Sequence, residues 1–496
     1  MKNACVLGLV LFGFLAPATA APVDRADAAL ASTFGPRYAS SGLPARPTLK
    51  KGTDALHRWN QVAIDTTGYD HANAREQLGP GRASRAMAIV HIAMFDAMNA
   101  VTRDFESYMD VERPKGNISL DAAIAQAAHD TLVSLFPAQA THLHSLLNEE
   151  LSSIKDAKQK SRGILLGSRA ADVLMTLRTE DGSEIKEPLV GTEHPTSPMP
   201  GRWRQDPVSL IPLALGAYWS KCAPFVVESS QQFRAPPFPS MTSPEYAVAY
   251  NEVKRLGGDG VQTPTERTAD QSVAGIYWAY DGTPSLCAPP RLYNQIAVMI
   301  ADQRGTMGIE LARLLVLVNV AMSDATLTCW ESKYYYDIWR PVIGIRESDS
   351  GSGPTGLGDG NDATLGDPLF FPLGAPASNL TGANFTPPFP AYPSGHATMG
   401  GALFQTLRRF YGTDHIAFTF VSDELNGVTK DNAGNPRPLI PRSFDSLSQA
   451  EEENGQSRIY LGIHWSFDKT AGISMGRQVA DYIFDNAFQP IPHRQH

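Results

Sequence analysis

Apolar residues recur at a spacing of three and four residues through most of the chain, and this periodicity constrains the fold more than any other feature. In residues 82–101, Ala86, Ile89, Val90 and Ala93 fall on one face of a helix. The same pattern predicts helices over residues 121–136, 141–154, 158–177, 244–256, 270–280, 291–304, 308–322, 324–340, 394–411, 445–460 and 464–488. Alternating β-branched segments are scarce, so we predict an all-α fold.

The distribution of proline divides the chain into two helical halves. The four helices predicted between residues 82 and 177 have short connections, which is typical of an antiparallel bundle, whereas residues 21–80 show no clear pattern. A proline-rich stretch over residues 183–240 follows. We therefore predict an N-terminal helical half with its linker over residues 21–240 and a C-terminal helical bundle over residues 241–496.

The beginning of the chain is typical of a secretory signal peptide. Lys2 precedes an apolar run over residues 6–15, and Ala18 and Ala20 form an A-x-A cleavage pattern. The apolar run is too short to cross a membrane. We predict a signal peptide over residues 1–20 and export to the periplasm or the extracellular medium.

Charge and cysteine content exclude several classes of protein. The chain has 42 Lys and Arg against 51 Asp and Glu, a net charge of −9, which argues against a nucleic-acid partner. The longest later apolar stretch, residues 311–322, contains Arg313, so no membrane span is predicted. Cys222, Cys287 and Cys329 allow at most one disulfide after the signal peptide, and no C-x-x-C-H haem-attachment motif is present.

Lys333 and Arg340 form the first of three short clusters. They are seven residues apart, about two helical turns, so both cations are expected on one face of a helix. Pro341 disfavours helix at the residue before it, which puts Arg340 at the helix end. Alone, such a pair is more typical of a solvated surface than of a functional site.

Ser394, Gly395 and His396 form the second cluster, where a proline-rich loop enters a predicted helix. Ser394 is a good N-cap, and Gly395 lets the backbone approach a ligand. Because helix N-termini bind anions, His396 in the first turn is well placed as an acid or base. The alternative is a capping serine beside a surface histidine.

Arg458, His464 and Asp468 form the third cluster. Gly462 lies between the first two and can break the helix, so that both side chains point at one site. His464 and Asp468 are four residues apart, one turn, which allows the carboxylate to orient the imidazole.

Taken together, the three clusters predict an oxyanion cage. It would combine three cations, the donors Ser394 and the Gly395 N–H, and two histidines. Two like charges 4 Å apart repel by roughly 4 kcal/mol at an effective dielectric constant near 20. Such a pocket requires a polyanion, and both phosphate and vanadate meet that demand.

The order and spacing K-x6-R-P, P-S-G-H and S-R-x5-H-x3-D resemble the signature of the superfamily of type 2 phosphatidic acid phosphatases and vanadium-dependent haloperoxidases. Residues 277–282, 289–295 and 424–428 are further similar to the fungal-type vanadium chloroperoxidases. The resemblance covers roughly residues 240–488. It implies two four-helix bundles with long proline- and glycine-rich loops, and an active site in the C-terminal bundle.

The resemblance also implies an oxidoreductase that uses vanadate, not haem, and that acts on hydrogen peroxide, halide and small organic acceptors. His464 would bind the vanadium, and His396, with Lys333 and His464, would be catalytic. The vanadate oxygens would be held by Lys333, Arg340, Ser394, Gly395 and Arg458. The oligomeric state stays open between monomer and homodimer.

Three further positions take a role from the resemblance. Trp330 and Phe389 match the aromatic positions that flank the halide site of chloroperoxidases, and Asp281 matches a carboxylate that pairs with Arg458. Asp468 would support His464 from behind. The glycine-rich loop over residues 351–382 has no counterpart and is a candidate for shaping the substrate entrance.

Three functions are compatible with these residues. The first is a haloperoxidase that oxidises bromide, with chloride as the second halide. The second is a phosphohydrolase with His464 as nucleophile and His396 as the acid that protonates the leaving oxygen. The third is an exported helical protein whose cage binds phosphate without catalysis.

Overall fold

The computed structural model of this chain describes residues 22–492, so the predicted signal peptide lies outside the described residues. The helices of the first half are α1 (Pro22–Phe34), α2 (Ala55–Ala72), α3 (Gly79–Thr102), α4 (Leu120–Leu135), α5 (Ala140–Ser152) and α6 (Ala157–Leu177). Those of the second half are α7 (Pro244–Leu256), α8 (Ala269–Tyr277), α9 (Pro289–Arg304), α10 (Gly308–Tyr336), α11 (Pro341–Arg346), α12 (Gly395–Tyr411), α13 (Leu447–Tyr460) and α14 (Ser466–Asn486).

Helices account for the core, which confirms the predicted all-α class. Helices α3 to α6 begin and end within three residues of the predicted bounds and pack on one another. Helices α9, α10, α12, α13 and α14 form a second packed group. The two groups meet where α3 packs against α10, and one continuous apolar core includes residues from both. The division near residue 240 stays a prediction.

Three helices (α1, α2 and α11) and four strands were not predicted. Helix α2 escapes the periodicity analysis because 14 of its 18 residues are buried, including Asn60, Asp70 and His71, so it has no polar face. Strands β3 (Phe418–Asn426) and β4 (Leu439–Phe444) pair antiparallel. Two other strands, β1 (Ala39–Ser40) and β2 (Leu380–Thr381), form a short antiparallel pair.

Helix α10 runs without a break from Gly308 to Tyr336, so the prediction of two helices separated near residue 323 was wrong. The carboxylate of Asp324 does not break the helix, since it accepts backbone N–H bonds from Phe225, Val226 and Val227 at 2.8–3.0 Å. The helix ends at Tyr336, before Arg340. The expectation that Lys333 and Arg340 share one helix face was therefore wrong.

Helix α10 is also the one helix within residues 22–492 with the length and hydropathy of a membrane span. Its whole apolar window is covered by other parts of the protein. Length and hydropathy are therefore weak evidence for a span here, because a core helix has the same composition.

Small residues allow α12 and α14 to approach closely. A Cβ atom added to Gly476 would lie 2.0 Å from the carbonyl oxygen of Thr398, and one added to Gly472 would lie 2.7 Å from that of Ser394. The Ser394 N–H donates to the carbonyl oxygen of Asp468 at 3.0 Å. The packing thus holds the starts of both helices side by side.

We predict that Gly476→Ala lowers the free energy of unfolding by about 1–3 kcal/mol, because the new methyl group must push α12 away from α14. Denaturant unfolding measures the change. Gln478→Ala, on the exposed side of α14, is the matched control and should change stability by less than about 0.5 kcal/mol. An unchanged midpoint for Gly476→Ala would contradict this packing.

Candidate active site

The ends of five helices bring the three sequence clusters to a common centre. Lys333 lies in the last turn of α10, and Arg340 directly precedes α11. Ser394, Gly395 and His396 begin α12. Arg458 lies in the last turn of α13, and His464 and Asp468 flank the start of α14.

Gly462 has a φ of 72° and lies against the backbone of Gly257, where a Cβ atom would come 2.4 Å from the carbonyl oxygen. The break after α13 therefore requires glycine.

His464 is held by hydrogen bonds to both of its ring nitrogens. Its Nδ1 lies 2.8 Å from Oδ2 of Asp468, and its Nε2 lies 2.8 Å from Nη1 of Arg340. Because a guanidinium can only donate, Nε2 carries the lone pair and Nδ1 carries the proton. The lone pair of His464 therefore faces the positively charged side of the site.

Asp468 is buried and fixes this orientation. Its Oδ2 also accepts the backbone N–H of Trp465 at 3.0 Å, while its Oδ1 has no hydrogen-bond partner among the described residues. Burial raises the pKa of the Asp468 carboxyl to about 7. Nearby Lys333 and Arg340 oppose that increase.

Arg340 is buried against the loop that precedes α12. Its Nε donates to the carbonyl oxygen of Phe389 at 2.9 Å and its Nη1 to that of Ile463 at 2.8 Å. Its Nη2 is buried without a partner in the described part of the chain. Burial lowers the pKa of Arg340 to about 9.

Arg458 is fully buried and pairs with Asp281 through one guanidinium nitrogen. Its Nη2 lies 2.7 and 2.9 Å from the two carboxylate oxygens. Its Nε and Nη1 are buried and have no acceptor within residues 22–492. Burial raises the pKa of Asp281, and the charge of Arg458 opposes the rise.

Lys333 is buried but has no N–H left for a ligand in this arrangement. Its ammonium donates to the carbonyl oxygens of Pro390 and Ala391 at 3.0 Å and of Pro393 at 2.5 Å, which uses all three protons. Burial lowers its pKa to about 7. The three carbonyl acceptors favour the ammonium form, so Lys333 anchors the proline-rich loop and, when protonated, contributes positive charge behind the site.

The first turn of α12 provides the backbone donors. Ser394 caps the helix, and its Oγ accepts the N–H of Ala397 at 3.4 Å. Gly395 packs under Trp330, where a Cβ atom would come 3.0 Å from two ring carbons. The absent side chain keeps the helix N-terminus open to a ligand.

His396 follows in the same turn, and its Nε2 is hydrogen-bonded to the carbonyl oxygen of Ala279. Because a carbonyl can only accept, Nε2 holds the proton and Nδ1 has the lone pair. Burial lowers the pKa of both His396 and His464 well below 6.5, and the charges of Arg458 and Arg340, respectively, lower them further. Both imidazoles are therefore neutral near pH 7.

Trp330 and Phe389 form an aromatic wall beside these groups. Their ring centroids are 4.9 Å apart, and Trp330 Nε1 donates to the carbonyl oxygen of Leu215 at 3.1 Å. The Phe389 ring lies 5.1 Å from Lys333 Nζ and 5.0 Å from Arg340 Cζ. Both cations therefore approach the aromatic wall within cation–π distance.

Sequence reasoning missed the residues that connect α12 to α13. Asn454 donates from Nδ2 to the carbonyl oxygen of His396 at 2.9 Å, and its Oδ1 accepts the Tyr293 hydroxyl at 2.9 Å. The same Tyr293 hydroxyl lies 3.1 Å from the His396 carbonyl oxygen, so its one proton is shared between the two acceptors. The one available signal was position, since Asn454 stands one helical turn before Arg458 on α13.

A cavity opens from this site between the two halves of the chain. It contains about 660 Å³ of space free of protein atoms, part of it open to solvent, and is lined by His396, Arg458, His464 and many apolar side chains. Phe385 and Pro387 contribute to its wall. Among the described lining residues, none belongs to the loop over residues 351–382, which was a candidate for this role.

The arrangement suits an oxyanion better than a bare cation. Arg340 Nη2 and Arg458 Nε and Nη1 are buried donors without acceptors, and such donors cost free energy unless a ligand supplies oxygen atoms. Oxyanions accept charge-assisted hydrogen bonds from guanidinium groups. A tetrahedral oxyanion could accept these donors while the His464 lone pair binds its central atom.

Comparisons with known proteins agree with this chemistry. A family profile described as the VCPO second helical-bundle domain matches residues 313–492. The chain is 31% identical over 503 residues to vanadium chloroperoxidase from Curvularia inaequalis, which covers 84% of this chain and 80% of that protein.

Solved structures show the same fold. The first bacterial vanadium-dependent iodoperoxidase superposes with a TM-score of 0.69 at 21% identity, over 91% of this chain and 99% of that one. A holo-type bacterial vanadium-dependent chloroperoxidase gives a TM-score of 0.59 at 15% identity, over 82% and 92%. Together with the sequence identity over four-fifths of the Curvularia protein, these findings show that the chain belongs to the vanadium-dependent haloperoxidases, which are oxidoreductases.

Proposed function

We propose that this chain oxidises halide with hydrogen peroxide to hypohalous acid, using vanadate held through His464. Bromide is the proposed halide and chloride the second candidate. The observation that carries the proposal is the neutral His464, whose Nε2 lone pair faces buried guanidinium N–H groups that lack acceptors. The proposal includes export, on the basis of the signal peptide predicted from the sequence.

The donor set fits vanadate. His464 would bind the metal through Nε2, and Arg340 would exchange its hydrogen bond to that nitrogen for one to an oxygen. Arg458 would donate through Nε and Nη1, and the first turn of α12 through Ser394 and the Gly395 N–H. Lys333 would add positive charge from behind the loop.

Vanadate and the residues around it would have different roles in the reaction. When bound, vanadate supplies Lewis-acid activation of hydrogen peroxide without changing its own oxidation state. His396, with its Nε2 proton directed to Ala279, has Nδ1 free to take a proton from the incoming peroxide and to return it to the leaving oxygen. The buried cations stabilise negative charge on oxygen throughout.

The aromatic wall supports a halide as the second substrate. Trp330 and Phe389 exclude water from one side of the site, and Lys333 and Arg340 supply positive charge next to the rings. A partly dehydrated halide is a stronger nucleophile than a hydrated one. We propose that the halide approaches along this wall.

A phosphohydrolase remains the second candidate, and one observation favours it. The pair of His464 and Asp468 has the geometry of an activated histidine nucleophile, with the lone pair exposed to an oxyanion and the opposite nitrogen held by a carboxylate. The arginines would bind phosphate as well as vanadate. Catalytic assays must separate the two reactions.

We predict vanadate-dependent bromination of a β-diketone by the protein with hydrogen peroxide and bromide. Turnover should rise with added vanadate and saturate. His464→Ala should abolish it, because the metal loses its only protein ligand in the proposed site. If vanadate-free protein instead hydrolyses an aryl phosphate and vanadate inhibits that reaction, with no halide turnover, the phosphohydrolase is correct.

His396→Ala should lower kcat for bromide oxidation by about 10²–10⁴-fold, because the proton acceptor for peroxide is lost. Steady-state kinetics with saturating vanadate measure this. His415→Ala, at an exposed position, is the matched control and should have wild-type kinetics. Unchanged activity of His396→Ala in both assays would favour the non-catalytic alternative.

Asp468→Asn should weaken vanadate binding by about 10–100-fold, because an amide cannot accept the Nδ1 proton of His464 as a carboxylate does. Calorimetric titration of the protein with vanadate measures the affinity. Asp481→Asn on the same helix, where the carboxylate pairs with Arg409 at the surface, should bind as the wild type does. Equal affinities for all three proteins would rule out a supporting role for Asp468.

A further inference from the structure

Arg75 is a buried cation in the cavity that the reaction described above does not use. It follows α2, is 8% exposed, and lines the same cavity as His396, Arg458 and His464. Its Nη2 is buried and has no hydrogen-bond partner among residues 22–492, while Nη1 makes one long contact of 3.4 Å with the carbonyl oxygen of Gly282. Burying a guanidinium with so few acceptors is unfavourable, and an anion that supplies oxygen atoms would offset that cost.

Asp70, five residues before Arg75, does not neutralise it by a direct ion pair. Asp70 uses its two oxygens to accept the backbone N–H groups of Glu76 and Gln77 at 2.8 and 3.0 Å. The Arg75 N–H donates to the carbonyl oxygen of Asp70 at 2.9 Å, and Arg75 itself adopts a φ of 55°. These bonds fix the turn after α2 and hold Arg75 at the cavity wall.

Asp281, which lines the cavity, is already paired with Arg458. The adjacent residue, Gly282, provides the carbonyl contact to Arg75. Arg75 and Arg458 therefore contact neighbouring residues of one segment, 281–282, and both line this cavity. One small molecule can therefore reach from Arg75 to the oxyanion pocket.

The space between these cations is mainly apolar. The wall residues include Phe34, Leu78, Ile211, Leu213, Leu215 and Phe385. The ring of Phe34 lies 4.9 Å under the Arg75 guanidinium, which holds the cation by cation–π contact. The cavity is partly open to solvent, which gives a small organic molecule access to this apolar wall.

We propose that this cavity binds the organic acceptor of the halogenation, an aromatic monocarboxylate whose carboxylate pairs with Arg75 and whose ring occupies the apolar space next to the oxyanion pocket. The inference depends on the proposed haloperoxidase function. A halide alone requires neither the apolar walls nor Arg75, whereas a ring with one anionic end matches both.

Binding in this orientation would place an electron-rich ring carbon where hypobromous acid is released. The ring carbon forms a bond to bromine as the O–Br bond breaks, and the same carbon then loses its proton. Hydroxide and that proton leave as water, so atoms and charge balance. The acceptor would thus be brominated inside the cavity.

The test compares 3-(4-hydroxyphenyl)propionate with its neutral amide. Calorimetry measures binding of each probe to protein whose oxyanion pocket is filled with saturating vanadate or, separately, with phosphate, so that the carboxylate cannot occupy that pocket. We expect the acid to bind about 10–100-fold more tightly than the amide, since a charge-assisted pair is lost with the amide. The KM values for bromination should show the same preference.

Arg75→Met should remove the preference for the acid, and Arg75→Lys should retain part of it. Arg46→Met, at an exposed position, is the matched control and should keep the wild-type preference. The acid and amide comparison on the wild type alone requires no folded variant.

Two results would overturn the proposal. One is equal binding of acid and amide to the wild type, and the other is an unchanged preference in folded Arg75→Met. If that variant also has an increased KM for bromide, Arg75 is assigned to the halide. Absence of any bromide oxidation would instead contradict the proposed function, and the phosphate-filled protein would still decide whether Arg75 binds a carboxylate.

Discussion

Buried positive charge without enough acceptors is the constraint on which the rest of this structure depends. Arg340 and Arg458 are almost completely buried, and between them three guanidinium nitrogens have no hydrogen-bond partner within the described residues. Burying such groups is unfavourable unless something offsets the lost hydration. Asp281 and Asp468 supply part of the compensation, and the geometry leaves the remainder to an oxyanion.

The fold meets this constraint by delivering the charged groups from helix ends. A helix interior could place side chains only along one stripe, whereas the starts and ends of α10, α11, α12, α13 and α14 converge from different directions. The N-terminus of α12 adds its own free N–H groups and positive dipole. Close packing of α12 on α14 then keeps Ser394 and Asp468 in register. The same packing that fills the core therefore also positions the site.

The sequence was sufficient to predict the helical class, the bounds of most helices and the side chains that meet at the site. It predicted those side chains from three motifs. In each motif, neighbouring residues combine steric or charge properties that rarely occur together. The sequence did not predict features that depend on contacts between residues far apart in the chain. Helix α2 has too few exposed residues to show a period, and Arg340 reaches the site from outside the helix that carries Lys333. The local sequence does not show that three backbone carbonyl oxygens accept the hydrogen bonds of the Lys333 ammonium.

The carbonyl contacts of Lys333 explain why a proline-rich loop precedes α12. Proline lacks an N–H, so a segment rich in proline exposes carbonyl oxygens that its own backbone cannot satisfy. Pro390 and Pro393 direct two of these oxygens at Lys333, and Arg340 takes the carbonyl oxygen of Phe389. Two cations thus stabilise the loop that leads into the anion-binding helix. The positive charge that a bound oxyanion requires is thereby also used to hold the backbone of its own binding site.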